Sequence, residues 1–188
     1  ALTAGVILLM VGYILVTGIP NLTLDLFAWT FTTDNQSMMP ALVNTVVMTL
    51  LTLVMAVPVG VCAAIYMVEY AKRGNKLVGV VRITAETLSG IPSIVYGLFG
   101  YLFFGVSLGW SYSMIGGALT MSIMILPLIM RTTEEALMSV PDSFREGSFG
   151  LGAGKLRTVF RIILPSAMPG ILSGIILGIG RIVGETAA

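Results

Sequence analysis

Long apolar runs recur along this chain and are separated by short polar segments. A helix rises about 1.5 Å per residue and a bilayer core is about 30 Å thick, so a run near 20 residues can span a membrane. Only 10% of the 188 residues are charged, whereas a typical soluble domain has about 25%. The sequence therefore predicts an all-α, polytopic bundle of transmembrane helices.

Five of these runs are predicted to span the membrane. They cover residues 1–17, 41–68, 88–106, 114–130 and 162–180. The second and fourth contain Pro58 and Pro127, which neighbouring helices make tolerable inside a membrane. The third begins with the segment Ser89–Ser93, where Pro92 predicts a break or kink.

The basic residues fall in alternate polar segments, and this pattern predicts the orientation of the chain. One group is Lys72, Arg73, Lys76 and Arg82; the other is Arg131, Arg145, Lys155, Arg157 and Arg161. The two alternate loops, 18–40 and 107–113, contain no Lys or Arg. By the positive-inside rule the basic segments are cytoplasmic, so the chain begins on the cytoplasmic side and residue 188 lies on the other side.

The composition of the sequence and the motifs that it lacks disfavour several functional classes. There is no histidine, and the one cysteine, Cys62, lies in an apolar run, so we expect neither a metal site nor a disulfide. The net charge of +1 indicates no nucleic-acid partner. No G-x-x-x-x-G-K-[ST] loop is present, so this chain is not expected to bind ATP in that way. A nucleophile–base arrangement is not visible either, and we expect no catalytic residue.

The longest polar segment, 141–169, is predicted to form a helix-turn-helix within residues 143–160. Phe149, Ala153, Leu156 and Phe160 recur at near-helical spacing, while the glycines between them interrupt a single continuous helix. Such an amphipathic knob fits a groove on a partner protein. The same sequence pattern is also typical of an amphipathic loop that lies on the membrane surface without a partner.

The spacing within this segment resembles the cytoplasmic EAA loop of ABC importer permeases. Glu146-Gly147-Ser148 is followed after three residues by Gly152, and after nine more by Ile162-Ile163-Leu164-Pro165. The resemblance implies docking into an ATPase subunit, with Glu146, Gly147, Ser148 and Gly152 as contact and turn positions. The family usually has alanines where this chain has Gly147 and Ser148, so we expect a weaker helix there.

Other blocks are similar to the PstA-type permeases of bacterial phosphate ABC importers. They are 89–100 (SGIPSIVYGLFG), 126–127 with 131–137 (LP, RTTEEAL), 140–143 (VPDS) and 180–187 (GRIVGETA). The resemblance implies a type I permease fold with six core spans, so we expect a sixth span outside this sequence, which we interpret as a fragment. Residues 1–188 would form one permease domain, with the coupling loop inside 141–165.

The same resemblance implies a set of partners and a location. A sister permease subunit would form the other half of the pore, two ATPase subunits would bind below, and an extracytoplasmic phosphate-binding protein would deliver the substrate. The chain itself would need no cofactor, because ATP would bind to the ATPase subunits. The protein would lie in the bacterial cytoplasmic (inner) membrane among its lipids and would import phosphate.

Charged residues near the spans are candidates for an anion path. Arg181 lies 16 residues past Pro165, or about 24 Å along a helix, which predicts a position within the membrane. Glu185 follows four residues later and is predicted to pair with it, as Glu134 is with Arg131 and Glu86 with Arg82.

Two interpretations of these charges remain open. A guanidinium suits carboxylate and phosphate oxygens alike, so Arg181 can exchange Glu185 for a passing anion. The resemblance implies that Arg131, Glu134 and Arg181 belong to the phosphate path, and Glu185 joins them as the partner of Arg181. The alternative is purely structural ion pairing between helices.

Two other functions compete with phosphate import. An importer of sulfate or molybdate would share the coupling loop, although not the blocks at 131–137 and 180–187. A secondary anion transporter or membrane scaffold would work without ATP and would have no use for the docking residues.

Overall fold

The secondary-structure elements are all helical in the part of the chain that the computed structural model describes, which comprises residues 2–21, 23–33, 37–72 and 74–185. Arg73 and residues 186–188, which carry part of the predicted basic turn and of the last motif, lie outside it. Two compact units are present, residues 1–46 and 47–188. In the first, α1 (Leu2–Gly18) is followed by short 3₁₀ turns at Ile19–Asn21 and Leu24–Phe27.

The remaining helices differ widely in length. They are α2 (Met39–Ile65), α3 (Lys76–Ser89), α4 (Ser93–Gly100), α5 (Met114–Met138), α6 (Asp142–Gly150), α7 (Lys155–Thr158) and α8 (Leu164–Gly184). Three π-helical turns extend them without a break: Tyr66–Tyr70 continues α2, Tyr101–Ser107 continues α4, and Val159–Ile163 joins α7 to α8.

Three of the resulting helices are long and apolar enough to cross a membrane: Met39–Tyr70, Met114–Met138 and Lys155–Gly184. A fourth span is formed if α3 and the helix Ser93–Ser107 are counted together. The first predicted run forms α1, an apolar helix of 17 residues. The predicted all-α membrane bundle is therefore confirmed.

A sharp bend separates α3 from the helix Ser93–Ser107. The axis turns by 100° between these two helices, at the segment Ser89–Ser93 where the sequence predicts a kink, so the third predicted run, 88–106, begins at the bend. Pro92 has no N–H to donate and disfavours helical geometry in Ile91, so α3 ends and α4 begins in a new direction. By contrast, α2 and α5 continue through Pro58 and Pro127.

Helix α5 packs most extensively on α8, and a row of glycines makes this close approach possible. Gly170, Gly174 and Gly178 follow one another at four-residue intervals on α8. A Cβ added at Gly170 would lie 2.7 Å from that of Ala136, and one added at Gly174 would overlap Thr132. Small residues at this spacing let two membrane helices pack backbone to backbone.

Replacing Gly174 with valine is expected to separate α5 from α8. Overpacking a tight site costs about 1–3 kcal/mol, so the thermal transition in detergent should move to a lower temperature. Gly180→Ala is the matched control on the same helix, because a Cβ there meets nothing within 4 Å. Equal transition temperatures for the two variants would contradict the close approach at Gly174.

Candidate functional site

The predicted coupling segment forms a hairpin, made of α6, a tight turn and α7. The N–H of Gly152 donates to the Phe149 carbonyl at 2.9 Å, and the N–H of Ala153 donates to the Ser148 carbonyl at 3.1 Å. This pair of bonds is the Schellman ending of a helix, which needs a left-handed residue after the cap. Gly152 supplies it with φ 79°. The glycine of the motif therefore sets the turn, as the sequence predicts.

A hydroxyl pair ties the two arms of the hairpin together. Ser148 is 5% exposed, and its Oγ lies 2.8 Å from Oγ1 of Thr158 on α7. Ser148 thus faces inward, although the sequence assigns it to the docking positions. Its physical effect here is to hold the hairpin closed, which an alanine side chain cannot do.

The outward side of the hairpin carries Glu146 and Gly147, both exposed. Three members of the predicted apolar ridge, Phe149, Leu156 and Phe160, are also exposed, and Leu151 at the tip is 91% exposed. An acidic group beside apolar side chains is a surface that a partner protein can cover. The hairpin therefore presents the kind of knob that its sequence predicts.

Arg145, one of the basic residues that predict the orientation of the chain, is largely enclosed at the base of the hairpin. Its guanidinium contacts Glu69 at 2.7 Å, and the two side chains are only 16% and 8% exposed. It also donates to the carbonyls of Val140 and Leu137. The sequence gives no sign of this role, because Glu69 lies 76 positions away.

Two of the predicted pairings within helices, Arg131 with Glu134 and Arg82 with Glu86, are wrong. Glu134 pairs with Arg82 of α3 instead of Arg131, and Arg82 does not pair with Glu86. Arg131 pairs with Glu135, four residues further along α5. The reason is the packing of α3 on α5: Glu134 is buried at this contact, while Arg131 and Glu135 point outward.

These charges surround a cavity of about 490 Å³ between α3 and α5. Its polar lining consists of Arg82, Glu86, Ser89, Arg131, Thr132, Glu134 and Glu135. Two arginines and the Ser89 hydroxyl can donate hydrogen bonds there, whereas the Thr132 hydroxyl already donates to the Leu128 carbonyl, and three carboxylates oppose these donors. A passing anion would therefore need one of the arginines to exchange its carboxylate partner.

Arg181 has a different environment from the one predicted. It forms no ion pair with Glu185 in the described part of the chain, because α8 ends at Gly184 and Glu185 is extended, with ψ 106°. Arg181 instead lies within electrostatic reach of Tyr96 on α4. The Tyr96 hydroxyl donates to the Leu88 carbonyl at 2.7 Å.

The arginines lie at different levels of the bundle. Gly174 of α8 packs against Thr132 of α5, next to Arg131. Arg181 is seven residues further along α8, or about 10 Å further from the hairpin. It does not line the cavity that Arg131 and Glu134 share. The predicted site residues thus lie at two levels of the bundle.

Several curated proteins are similar to this chain. It is 37% identical over 195 residues to a probable ABC transporter permease protein, YqgI, from Bacillus subtilis, which covers 100% of the chain and 64% of that protein. It is 44% identical over 147 residues to the phosphate transport system permease protein PstA 1 of Mycobacterium tuberculosis, covering 78% and 47%. With PstA of Xylella fastidiosa the identity is 36% over 172 residues, covering 90% and 60%. The chain thus spans about half to two thirds of these relatives.

A solved structure shares the fold. It shows an inward facing conformation of the MetNI methionine ABC transporter, with a TM-score of 0.64 and 26% sequence identity, and covers 76% of this chain and 66% of that one. Residues 56–188, which include the hairpin and both charged levels, match the profile of one protein family. The chain therefore belongs to the family of binding-protein-dependent transport system inner membrane components, whose members are multi-pass permeases.

Proposed function

We propose that this chain is a permease subunit of an ATP-driven importer of inorganic phosphate. The observation that carries the proposal is the 44% identity to a phosphate transport system permease protein, over 147 residues. This similarity covers 78% of the chain. Two features of the structure support the proposal. One is the hairpin with its exposed acidic and apolar side chains, and the other is the arginines at two levels of the bundle.

The hairpin would be the part that an ATPase subunit holds. Its second arm runs without a break into the membrane helix Lys155–Gly184, so a push on the arm would be carried along that helix. Glu146 and the exposed apolar side chains would make the contact, together with Gly147. Gly152 and the Ser148–Thr158 bond would keep the shape. A sister permease subunit and an external binding protein would complete the importer.

The arginines would form successive binding sites for the anion along its path. Arg181 would meet phosphate in the membrane, since its charge is not balanced by Glu185. Nearer the cytoplasm, phosphate would compete with Glu134 for Arg82 and with Glu135 for Arg131. The planar guanidinium can donate paired hydrogen bonds to carboxylate or to phosphate oxygens, so each exchange replaces one acceptor with another.

We infer the substrate from the relatives, because transporters of different substrates share this fold. A methionine transporter shares it at a TM-score of 0.64, and a common fold does not fix the ligand. Sulfate and molybdate are the nearest alternatives in chemistry. None of the relatives described above is named as a carrier of either.

Purification of the full-length protein tests the proposal directly. We expect a second permease and an ATPase to co-purify with it. ATP hydrolysis by that complex, with its binding protein, should rise with phosphate and not with sulfate or molybdate. A complex stimulated by sulfate would overturn the substrate, and a protein that purifies alone and transports without ATP would overturn the class.

A further inference from the structure

The π-helical turn Tyr66–Tyr70 at the end of α2 contacts both arms of the hairpin. Glu69 binds Arg145 of α6. The next residue, Tyr70, places its ring 5.1 Å from Nζ of Lys155, the first residue of α7. Consecutive side chains on a helical turn point in different directions, which allows one turn to reach two arms. Single π turns inside helices occur frequently at functional sites.

The contact with the first arm is the more extensive one. Nη2 and Nε of Arg145 donate to the same oxygen of Glu69, at 2.7 and 3.1 Å. The other donors of the guanidinium reach the carbonyls of Val140 at 2.8 Å and Leu137 at 3.0 Å, at the end of α5. One side chain therefore joins α6, α2 and α5. Burial and full hydrogen bonding make such a pair hard to break, because separation leaves an unpaired charge.

An apolar layer lies under these polar contacts. One buried cluster contains Ile65 of α2, Leu137 of α5, Val140 just after α5, and Val159 and Ile163 of the π turn that joins α7 to α8. All five side chains are at most 7% exposed. Packed interiors transmit displacement because they are as dense as organic crystals. The layer and the polar contacts thus connect the base of the hairpin to three membrane helices.

We propose that the Glu69–Arg145 pair and the Tyr70–Lys155 contact, together the hairpin clamp, transmit movement of the coupling hairpin to α2. Glu69, Tyr70 and Arg145 are then positioning residues that act through the hairpin and touch no substrate. The inference rests on the proposed function, since it needs an ATPase that moves the hairpin.

The connections of the first arm explain why a clamp is needed. Non-helical backbone separates α6 from α5, which ends at Met138, and from α7, which follows the turn at Gly152, so α6 is not held by a continuous helix at either end. The second arm is already continuous with α8. Without the clamp, movement of the ATPase would rotate α6 but would not displace α2.

The test uses the full complex in proteoliposomes and measures phosphate moved per ATP hydrolysed. Glu69→Gln and Tyr70→Leu should lower this ratio about fivefold or more, the lower end of typical coupling between sites. Tyr70→Phe keeps an aromatic ring over Lys155, so its ratio should stay near that of the wild type. Asp142→Asn is the matched control, because Asp142 also pairs with Arg145 but is 80% exposed, where ion pairs contribute little.

The outcomes separate this inference from the proposed function. A wild-type complex without ATP-driven phosphate uptake contradicts the proposed function and the inference with it. An active wild-type complex whose ratio is unchanged by Glu69→Gln contradicts the inference alone. If Glu69→Gln does not assemble, the Tyr70 pair decides: equal ratios for Tyr70→Leu and wild type overturn the clamp, and a loss that Tyr70→Phe reverses supports it.

Discussion

Reversing the charge of Glu146 is expected to stop ATP-driven uptake. Glu146 is exposed on the outward side of the hairpin and makes no ion pair among the residues that the structure describes. Glu146→Lys therefore removes no contact within the chain, and its effect reports on docking. Loss of a central contact residue commonly costs 2 kcal/mol or more, roughly a 30-fold weaker complex.

Pull-down of the ATPase subunit and uptake into cells measure this effect together. Lys76→Glu is a suitable control, because Lys76 is an exposed charge on the same predicted side of the membrane, outside the hairpin. An acidic residue is also favourable at the start of α3. If Glu146→Lys retained both the ATPase and full uptake, docking through this face of the hairpin would be excluded.

Arg181→Ala is expected to reduce phosphate uptake at least tenfold while leaving the protein folded. An arginine near the bilayer centre costs at least about 2.5–3.5 kcal/mol on insertion scales, so its removal should not hinder insertion. Arg181 has no carboxylate partner in the described chain. What the variant loses is therefore a positive charge available to an anion.

Two measurements with opposite expectations make this prediction sharp. The amount of folded protein, from size-exclusion chromatography in detergent, should stay the same or rise, while uptake falls. Arg181→Lys keeps the positive charge but loses the planar guanidinium, so its phosphate uptake should lie between that of the wild type and that of Arg181→Ala. Lys76→Gln removes an exposed charge far from Arg181 in sequence and should keep uptake near wild type. Normal uptake by Arg181→Ala would remove this residue from the path.

The local features of the chain are the ones that its sequence predicts well. Hydropathy locates the helices because burial in lipid depends on the composition of each segment. Pro92 marks the sharp bend since proline acts on its own backbone and on the residue before it. Gly152 marks the hairpin turn for a similar reason, because a left-handed cap favours glycine.

The pairing of charges is what the sequence does not reveal. Spacing along one helix suggests Arg131 with Glu134, yet Glu134 pairs with Arg82, 52 positions away. Arg145 looks like a surface residue until α2 and α5 are packed beside it. Both outcomes depend on which faces of distant helices meet, and a helical period carries no information about that. Arg181 and Glu185 separate because α8 ends between them.

The docking and path assignments remain predictions, and they share one claim: movement of an ATPase drives an oxyanion past the arginines of the helix bundle. Accumulation of labelled phosphate in sealed vesicles tests it most directly, with the complete permease pair present and the ATPase subunits either included or omitted. The account predicts accumulation against a gradient only when ATPase subunits, ATP and binding protein are all present. Equal accumulation without the ATPase would contradict it.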